Sequence, residues 1–207
     1  MMSQTEHRNG PLQTRQSATA GQPGFTRQVR LRTIIWIRWV AIAGQLAALL
    51  IVQFGLGWSL PTDAALSAVA ASVLINVVVM FRRPSQGRIG EMEAACYLAF
   101  DILQLAVLLY FTGGLENPFA LLFLGPVTVS ATILSRAATG LLSALVVVVA
   151  TFLAYEHLPL PWSDPGLRLP DLYILGLWIA VVVGTLFITG YIGSVAGEGR
   201  RMSDALT

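Results

Sequence analysis

The stretch AACYLAFDILQLAVLLYFTGGLENPFALLFLGPVTVSATIL, residues 94–134, holds two apolar runs with a short polar segment between them. Ala94 to Phe111 and Ala120 to Leu134 are each apolar enough to sit in lipid, so Gly113-Gly114-Leu115-Glu116-Asn117-Pro118-Phe119 joins two membrane helices. Within this heptapeptide two glycines release the backbone after a helix. Asn117 caps the next helix through its side-chain oxygen, and Pro118 suits that helix's first position. A turn accounts for those residues. It does not account for a carboxylate and an aromatic ring, Glu116 and Phe119, beside a cluster of free backbone N–H groups, and that surplus marks a candidate site.

Outward from the heptapeptide the composition has the same character, with 55% hydrophobic and 12% charged residues and a mean hydropathy of +0.69. Such a chain is an integral membrane protein and not a soluble domain, and no nucleic-acid partner is expected. Apolar runs near the roughly 17 to 25 residues that cross a bilayer occur at Ile34 to Phe54, Ala64 to Phe81, Ala94 to Phe111, Ala137 to Tyr155 and Leu172 to Val195. A shorter one, Ala120 to Leu134, contains Gly125-Pro126 and is expected to be kinked, tilted or partly re-entrant. The fold class is therefore all-α, a polytopic bundle of six transmembrane helices. Residues 1–30 form a disordered polar arm, 31–196 the membrane domain and 197–207 the start of a cytoplasmic linker.

Every basic residue is an arginine, and their placement sets orientation. Arg8, Arg15, Arg27, Arg30, Arg32, Arg82, Arg83, Arg88, Arg136, Arg200 and Arg201 fall on one side of the expected spans, and Arg168 on the other. The positive-inside rule then puts both termini in the cytoplasm of a bacterial inner membrane and the heptapeptide outside. Trp36, Trp39, Trp58, Tyr110, Trp162 and Tyr173 lie near span ends and suit interfacial anchoring.

Residues 1–25 lack the apolar core of a secretory signal. The single cysteine, Cys96, permits neither an intrachain disulfide nor a metal cluster. His7 lies in the arm and His157 in an outer loop, so no imidazole is available inside the bundle for haem, and neither metal nor haem is expected.

A second polar group sits deeper: Arg38 in span one, Asn76 in span two, and Asp101 with Gln104 three residues apart on one face of span three. The expected arrangement is an interhelical Arg38–Asp101 ion pair with Asn76 helping to satisfy it. The functional alternative is a relay between these residues and the heptapeptide, about 18 Å along the helix from Asp101 to Gly113 at 1.5 Å per residue. In span six, Gly176, Gly184, Gly190 and Gly193 allow close helix approach, with Gly193 and Gly197 at small-xxx-small spacing. The hydroxyls of Thr128, Ser130 and Thr132 are placed to re-satisfy carbonyls freed by Pro126.

GGLENPF resembles the pattern Gly-Gly-x-x-Asn-Pro-Phe of the RegB/PrrB family of redox-responsive sensor histidine kinases, with all five fixed positions present. The similarity extends to six spans with the heptapeptide between the third and fourth, and to the exit sequence Gly199 to Leu206. It implies a quinone-sensing membrane domain in which the heptapeptide binds ubiquinone, and whose redox state sets kinase activity toward a cognate response regulator. It also implies a homodimer whose sixth span is the output rod. The chain ends at Thr207, before any phosphoacceptor histidine, nucleotide-binding glycines or the family's cytoplasmic redox cysteine. It carries no kinase machinery itself and is expected to be a fragment of a longer kinase.

Quinone chemistry points to the same residues. A quinone offers two carbonyl acceptors, a flat ring and an apolar tail, whereas a quinol has hydroxyls that also donate. Backbone N–H groups around Gly113, Gly114, Glu116 and Asn117 and the Asn117 amide are candidate donors, helped by the N-terminal end of span four at Pro118. Phe119, Tyr110 and Phe111 are candidates to stack on the ring. Glu116 is a candidate acceptor for a quinol, and the tail would lie between spans three and four. A buried donor left without its acceptor costs about 1 to 3 kcal/mol, against about 5.5 kcal/mol for a full two-state switch, so one bond gives partial modulation. The alternatives are a small six-span transporter or permease and a passive scaffold. The first would need an internal repeat and a matched pair of interrupted helices, which the sequence does not display. A respiratory-chain membrane protein is a further possible partner.

Overall fold

A helix forms for each expected span. The computed structural model describes residues 29–55, 62–82, 88–159, 169–192 and 194–195. Helix α1 spans Leu31–Leu50 and continues as a π-helical turn over Ile51–Gly55. Helices α2 (Thr62–Arg82), α3 (Glu91–Phe111) and α5 (Arg136–Tyr155) follow the sequence reading closely. Helix α6 (Asp171–Phe187) also ends in a π turn, Ile188–Ile192. Five of these helices are long and apolar enough to cross a bilayer. Acidic residues open α2, α3 and α6, at Asp63, Glu91 with Glu93, and Asp171, where they complement the positive helix terminus.

The fourth span differs from expectation in where it breaks. Residues Pro118–Phe123 wind as a 3-10 helix and pass into the α-helix α4, Leu124–Ile133. Pro126 falls in the first turn of α4, where a missing N–H interrupts no α-helical bond of that helix, so the irregularity lies upstream of Gly125-Pro126. Thr128, Ser130 and Thr132 donate to the carbonyls of Leu124, Val127 and Val129 within α4. They satisfy their own hydroxyls within that helix and do not answer the carbonyl that Pro126 would have engaged.

The bundle buries a few polar side chains within an apolar interior and turns further apolar side chains outward. Arg38, Asn76, Gln104, Ser130 and Thr185 are buried, while Val40, Phe54, Leu74, Phe81 and Leu141 are exposed where lipid covers them. Helix α3 is central, packed against α2, α4 and α5, while α1 packs on α2 and α6 on α5 and α4. One apolar cluster unites Ile102, Leu109, Leu115, Phe123, Val146 and Val181, and a smaller one joins α1 to α2 and α3 through Ile42, Leu49, Val69 and Leu108. Hydroxyl and indole bonds tie α5 to α6: Ser143 with Thr189 at 2.7 Å and Trp178 Nε1 to Thr151 at 2.9 Å.

At the arginine-rich end, Val29–Arg30 (β1) and Arg88–Ile89 (β2) pair antiparallel, so the last two residues of the expected arm belong to the fold. Nearby, Glu91 accepts the N–H of Ser135 at 2.6 Å, fastening the start of α3 to the cap of α5. Trp36 and Tyr173 are exposed as interfacial anchors require, but Trp39 turns inward against both apolar clusters. Residues 1–28, Trp58, Arg83, Trp162, Arg168, Gly193 and the segment 197–207 lie outside the described residues.

Candidate functional site

Thr112 ends α3 by donating its N–H to Leu109 and its hydroxyl to Leu108, the latter at 2.8 Å. Gly113 (φ 103°) and Gly114 (φ 57°) then turn the chain through the left-handed region that favours glycine. Gly114 has a second requirement, because a Cβ there would stand 2.6 Å from the ring of His157. The segment after α5 is folded over this turn, with the Leu158 N–H on the Tyr110 carbonyl at 2.9 Å. A short 3-10 turn, Gly114–Glu116, leads to Asn117 and buries Leu115 completely.

Asn117 is the cap that the sequence predicts: its Oδ1 accepts the N–H of Phe119 at 3.0 Å, and Pro118 follows at the first helical position. Its other expected role is corrected. Both N–H groups of the amide are engaged, by the carbonyl and the hydroxyl of Thr112, each at 3.0 Å. The backbone N–H groups of Glu116 and Asn117 are likewise taken, by the carbonyls of Gly113 and Gly114. The expected cluster of free donors is largely used in building the turn.

Beside the turn lies a cavity of about 430 Å³, within the range of small-molecule sites and almost wholly apolar. The turn and the 3-10 helix provide one wall, Asn117, Pro118, Phe119 and Leu122. Helix α3 provides a second through Leu105, Leu108, Leu109 and Thr112, the i, i+3, i+4, i+7 face of that helix. The third wall is the outer half of α1, with Gly44, Gln45, Ala48 and Leu49, and Ile51 and Val52 of its π turn. The cavity thus lies between α1 and the α3–α4 hairpin.

Of the residues expected to contact a ligand, Asn117, Pro118 and Phe119 line this cavity, and Phe119 is 44% exposed. Gly113, Gly114, Glu116 and Tyr110 do not. The glycines make the turn, and Glu116, half-buried, ends the short 3-10 segment. Tyr110 lies off the cavity face of α3, stacked on Phe152 of α5 at 6.4 Å and edge-on to Phe111 at 5.5 Å. The α1 wall, with Gln45, is absent from the sequence reading.

The deeper polar group is partly as expected. Arg38 Nε lies 3.0 Å from Asp101 Oδ1, and the guanidinium carbon is 5.6 Å from the Tyr97 ring and 5.5 Å from the Phe100 ring. The contact is an ion pair outside hydrogen-bond angles, since neither Arg38 Nε nor Nη2 makes a hydrogen bond. Asn76 does not complete it: its Nδ2 donates to the Ile35 carbonyl at 3.4 Å, and its Oδ1 has no partner. Gln104 pairs instead with Gln45, Gln45 Nε2 to Gln104 Oε1 at 3.3 Å and Gln104 Nε2 to Gln45 Oε1 at 3.1 Å. The α1–α3 seam thus carries two polar rungs, Arg38–Asp101 and Gln45–Gln104, below the Thr112–Asn117 clasp on α3.

Fold and site together define a multi-pass bacterial membrane domain, a helical bundle with an apolar cavity at one end and an interhelical ion pair toward the other. The chain belongs to the PilS-like transmembrane domain family, whose model matches residues 26–194. It is similar to sensor histidine kinase RegB of Cereibacter sphaeroides, 47% identical over 178 residues, which cover 86% of this chain and 38% of the relative. A second sequence of that name, from a strain of the same species, is 48% identical over 179 residues, covering 86% of this chain and 39% of its own length. The chain therefore spans about two fifths of the length of the curated relatives it matches. No solved structure matches it.

Proposed function

We propose that this chain is the membrane sensor domain of a redox-responsive histidine kinase and that its cavity receives the headgroup of ubiquinone. The observation that carries the reading is that Asn117, Pro118 and Phe119 of GGLENPF line an apolar cavity of about 430 Å³ between α1 and α3. The chemistry of the lining fits the ligand: a flat apolar ring finds Phe119 and aliphatic walls, and the amide of Gln45 supplies a polar contact. Similarity to sensor histidine kinases supports the signalling half of the proposal. On this reading the signal passes through a histidine kinase core to a cognate response regulator. A second copy of the chain, through α6, and a respiratory-chain membrane protein are the membrane partners.

Occupation of the cavity alters the fit of α1 against α3, and the rungs Gln45–Gln104 and Arg38–Asp101 carry that change toward the arginine-rich end. A folded Asp101→Asn variant of the full-length kinase with an unchanged quinone response would remove the relay.

The test of the cavity is equilibrium binding of a short-tailed ubiquinone analogue, oxidised and reduced, to the purified chain in nanodiscs. The two forms are expected to bind with different affinity, and Ala48→Phe, which fills the cavity, and Phe119→Ala, which removes its ring, to weaken both. Equal affinity of the two forms overturns redox sensing by this domain. Indifference to Ala48→Phe overturns the site.

A further inference from the structure

We propose that the free amide N–H of Gln45 is the hydrogen-bond donor to a ligand carbonyl in this cavity, which makes Gln45 the residue that sets the preference between oxidised and reduced headgroups. The assignment rests on the cavity reading above and names the group within it that distinguishes the two forms.

Among the described residues that line the cavity, three have polar side chains: Gln45, Thr112 and Asn117. A carboxamide holds two N–H donors and two acceptor lone pairs, and a hydroxyl one donor. Asn117 gives both of its N–H groups to Thr112, and Thr112 gives its only O–H to the Leu108 carbonyl. The heptapeptide wall therefore has no side-chain donor left, only lone pairs. Gln45 gives one N–H to Gln104 and accepts one in return, which leaves it one N–H and one lone pair. Gln104 is buried and belongs to α3, so the reciprocal pair fixes the Gln45 amide plane across the α1–α3 seam before any ligand arrives.

The two redox forms meet this inventory differently. An oxidised headgroup has acceptors only, and among the lining side chains only Gln45 can answer one. A reduced headgroup carries hydroxyls, which can also donate to the remaining lone pairs of Asn117 Oδ1, Thr112 Oγ1 and Gln45 Oε1. The oxidised form thus depends on a single side chain opposite the heptapeptide, and the reduced form is held from both walls. Loss of the Gln45 donor must weaken the oxidised form more than the reduced one.

The experiment compares the chain in nanodiscs with its Gln45→Met, Gln104→Met and Ala48→Phe variants, using the short-tailed ubiquinone analogue in both redox forms. Affinity is read by titration and the ligand carbonyl stretch by difference infrared spectroscopy. Gln45→Met should lower affinity for the oxidised analogue roughly tenfold to a hundredfold and affinity for the reduced one by less. The wild type should show one carbonyl band lowered relative to the free analogue, and that lowering should vanish in Gln45→Met. Gln104→Met keeps the donor but not its brace, so the lowered band should broaden and persist. Binding that Ala48→Phe abolishes but Gln45→Met leaves intact, with the lowered band, overturns the assignment and leaves the cavity standing. An unlowered carbonyl band in the wild type overturns the assignment without any variant, so a Gln45→Met protein that failed to fold would not shield it. Absence of binding to the wild type, or binding indifferent to Ala48→Phe, overturns the cavity reading and this assignment with it.

Discussion

Asn117 grips Thr112 with both N–H groups of its amide, on the carbonyl and on the hydroxyl, each at 3.0 Å, while its oxygen accepts the N–H of Phe119. One buried side chain therefore joins the last residue of the α3 exit to the first turn of the 3-10 helix. It holds the heptapeptide wall of the cavity in place without offering that wall a donor.

Asn117→Ala removes all three bonds and leaves the Thr112 carbonyl without its side-chain partner. It is expected to lower stability by about 1–3 kcal/mol, read as an earlier thermal unfolding midpoint in detergent. Asn117→Asp keeps the bond from Phe119 but places carboxylate oxygens against the Thr112 carbonyl. It should destabilise at least as much as alanine. An Asp variant as stable as the wild type would show that the Thr112 clasp contributes nothing.

Gly114 answers two constraints that one double-mutant cycle separates. Gly114→Ala must adopt a φ near +57° and bring its Cβ within 2.6 Å of the His157 ring. The left-handed backbone alone costs about 1–2 kcal/mol for a non-glycine residue. The His157 Cβ is itself 2.7 Å from that position, so His157→Gly, which removes ring and Cβ together, should recover the steric part only. The double variant is therefore expected between Gly114→Ala and His157→Gly in unfolding temperature. Full recovery would mean that the backbone carries no strain.

Arg38 and Asp101 test the deep ion pair. Asp101→Leu leaves a guanidinium 3% exposed with no counter-charge and should cost about 3–5 kcal/mol. Arg38→Met with Asp101→Leu removes both charges and is expected to be more stable than Asp101→Leu alone, measured by unfolding of the purified chain. If the double variant is the less stable, neutral packing does not substitute for the pair, and its contribution exceeds simple charge compensation.

These sites were unequally legible in the sequence. Asn117 and Pro118 announce a cap because capping is local, settled by residues two or three apart. Arg38 and Asp101 announce a pair because charges inside spans are few and each needs a partner. Gln45 does not announce itself. Membrane helices are apolar on both their lipid and their packed faces, so no periodic contrast reveals which side of α1 turns inward, and its pairing with Gln104 depends on which helices are neighbours and at what depth. The same limit misassigned Asn76, whose partner is a backbone carbonyl that no sequence pattern marks. Proximity in sequence suggests Tyr110 for the site, whereas its position on α3 directs it to Phe152.

The glycines of α6 give a last, graded test of how closely that helix approaches its neighbours. A Cβ on Gly184 would meet Leu124 Cδ2 at 3.1 Å and Cδ1 at 3.2 Å, whereas one on Gly176 or Gly190 would meet nothing within 4 Å. Leu124 opens α4 directly after the 3-10 wall of the cavity, so a wedge at Gly184 pushes on the element that carries Phe119. Gly184→Ala should be mildly destabilising, because the tip of a leucine can give by a few tenths of an ångström. Gly184→Leu should lower the unfolding temperature clearly and weaken ligand binding in the cavity as α4 shifts. Gly176→Ala and Gly190→Ala should be neutral or slightly stabilising, by up to about 1 kcal/mol from restricted backbone entropy. A Gly184→Leu protein with wild-type unfolding would mean that α6 is not seated against Leu124. One with lowered stability but unchanged ligand affinity would mean that the cavity wall holds its shape independently of α6.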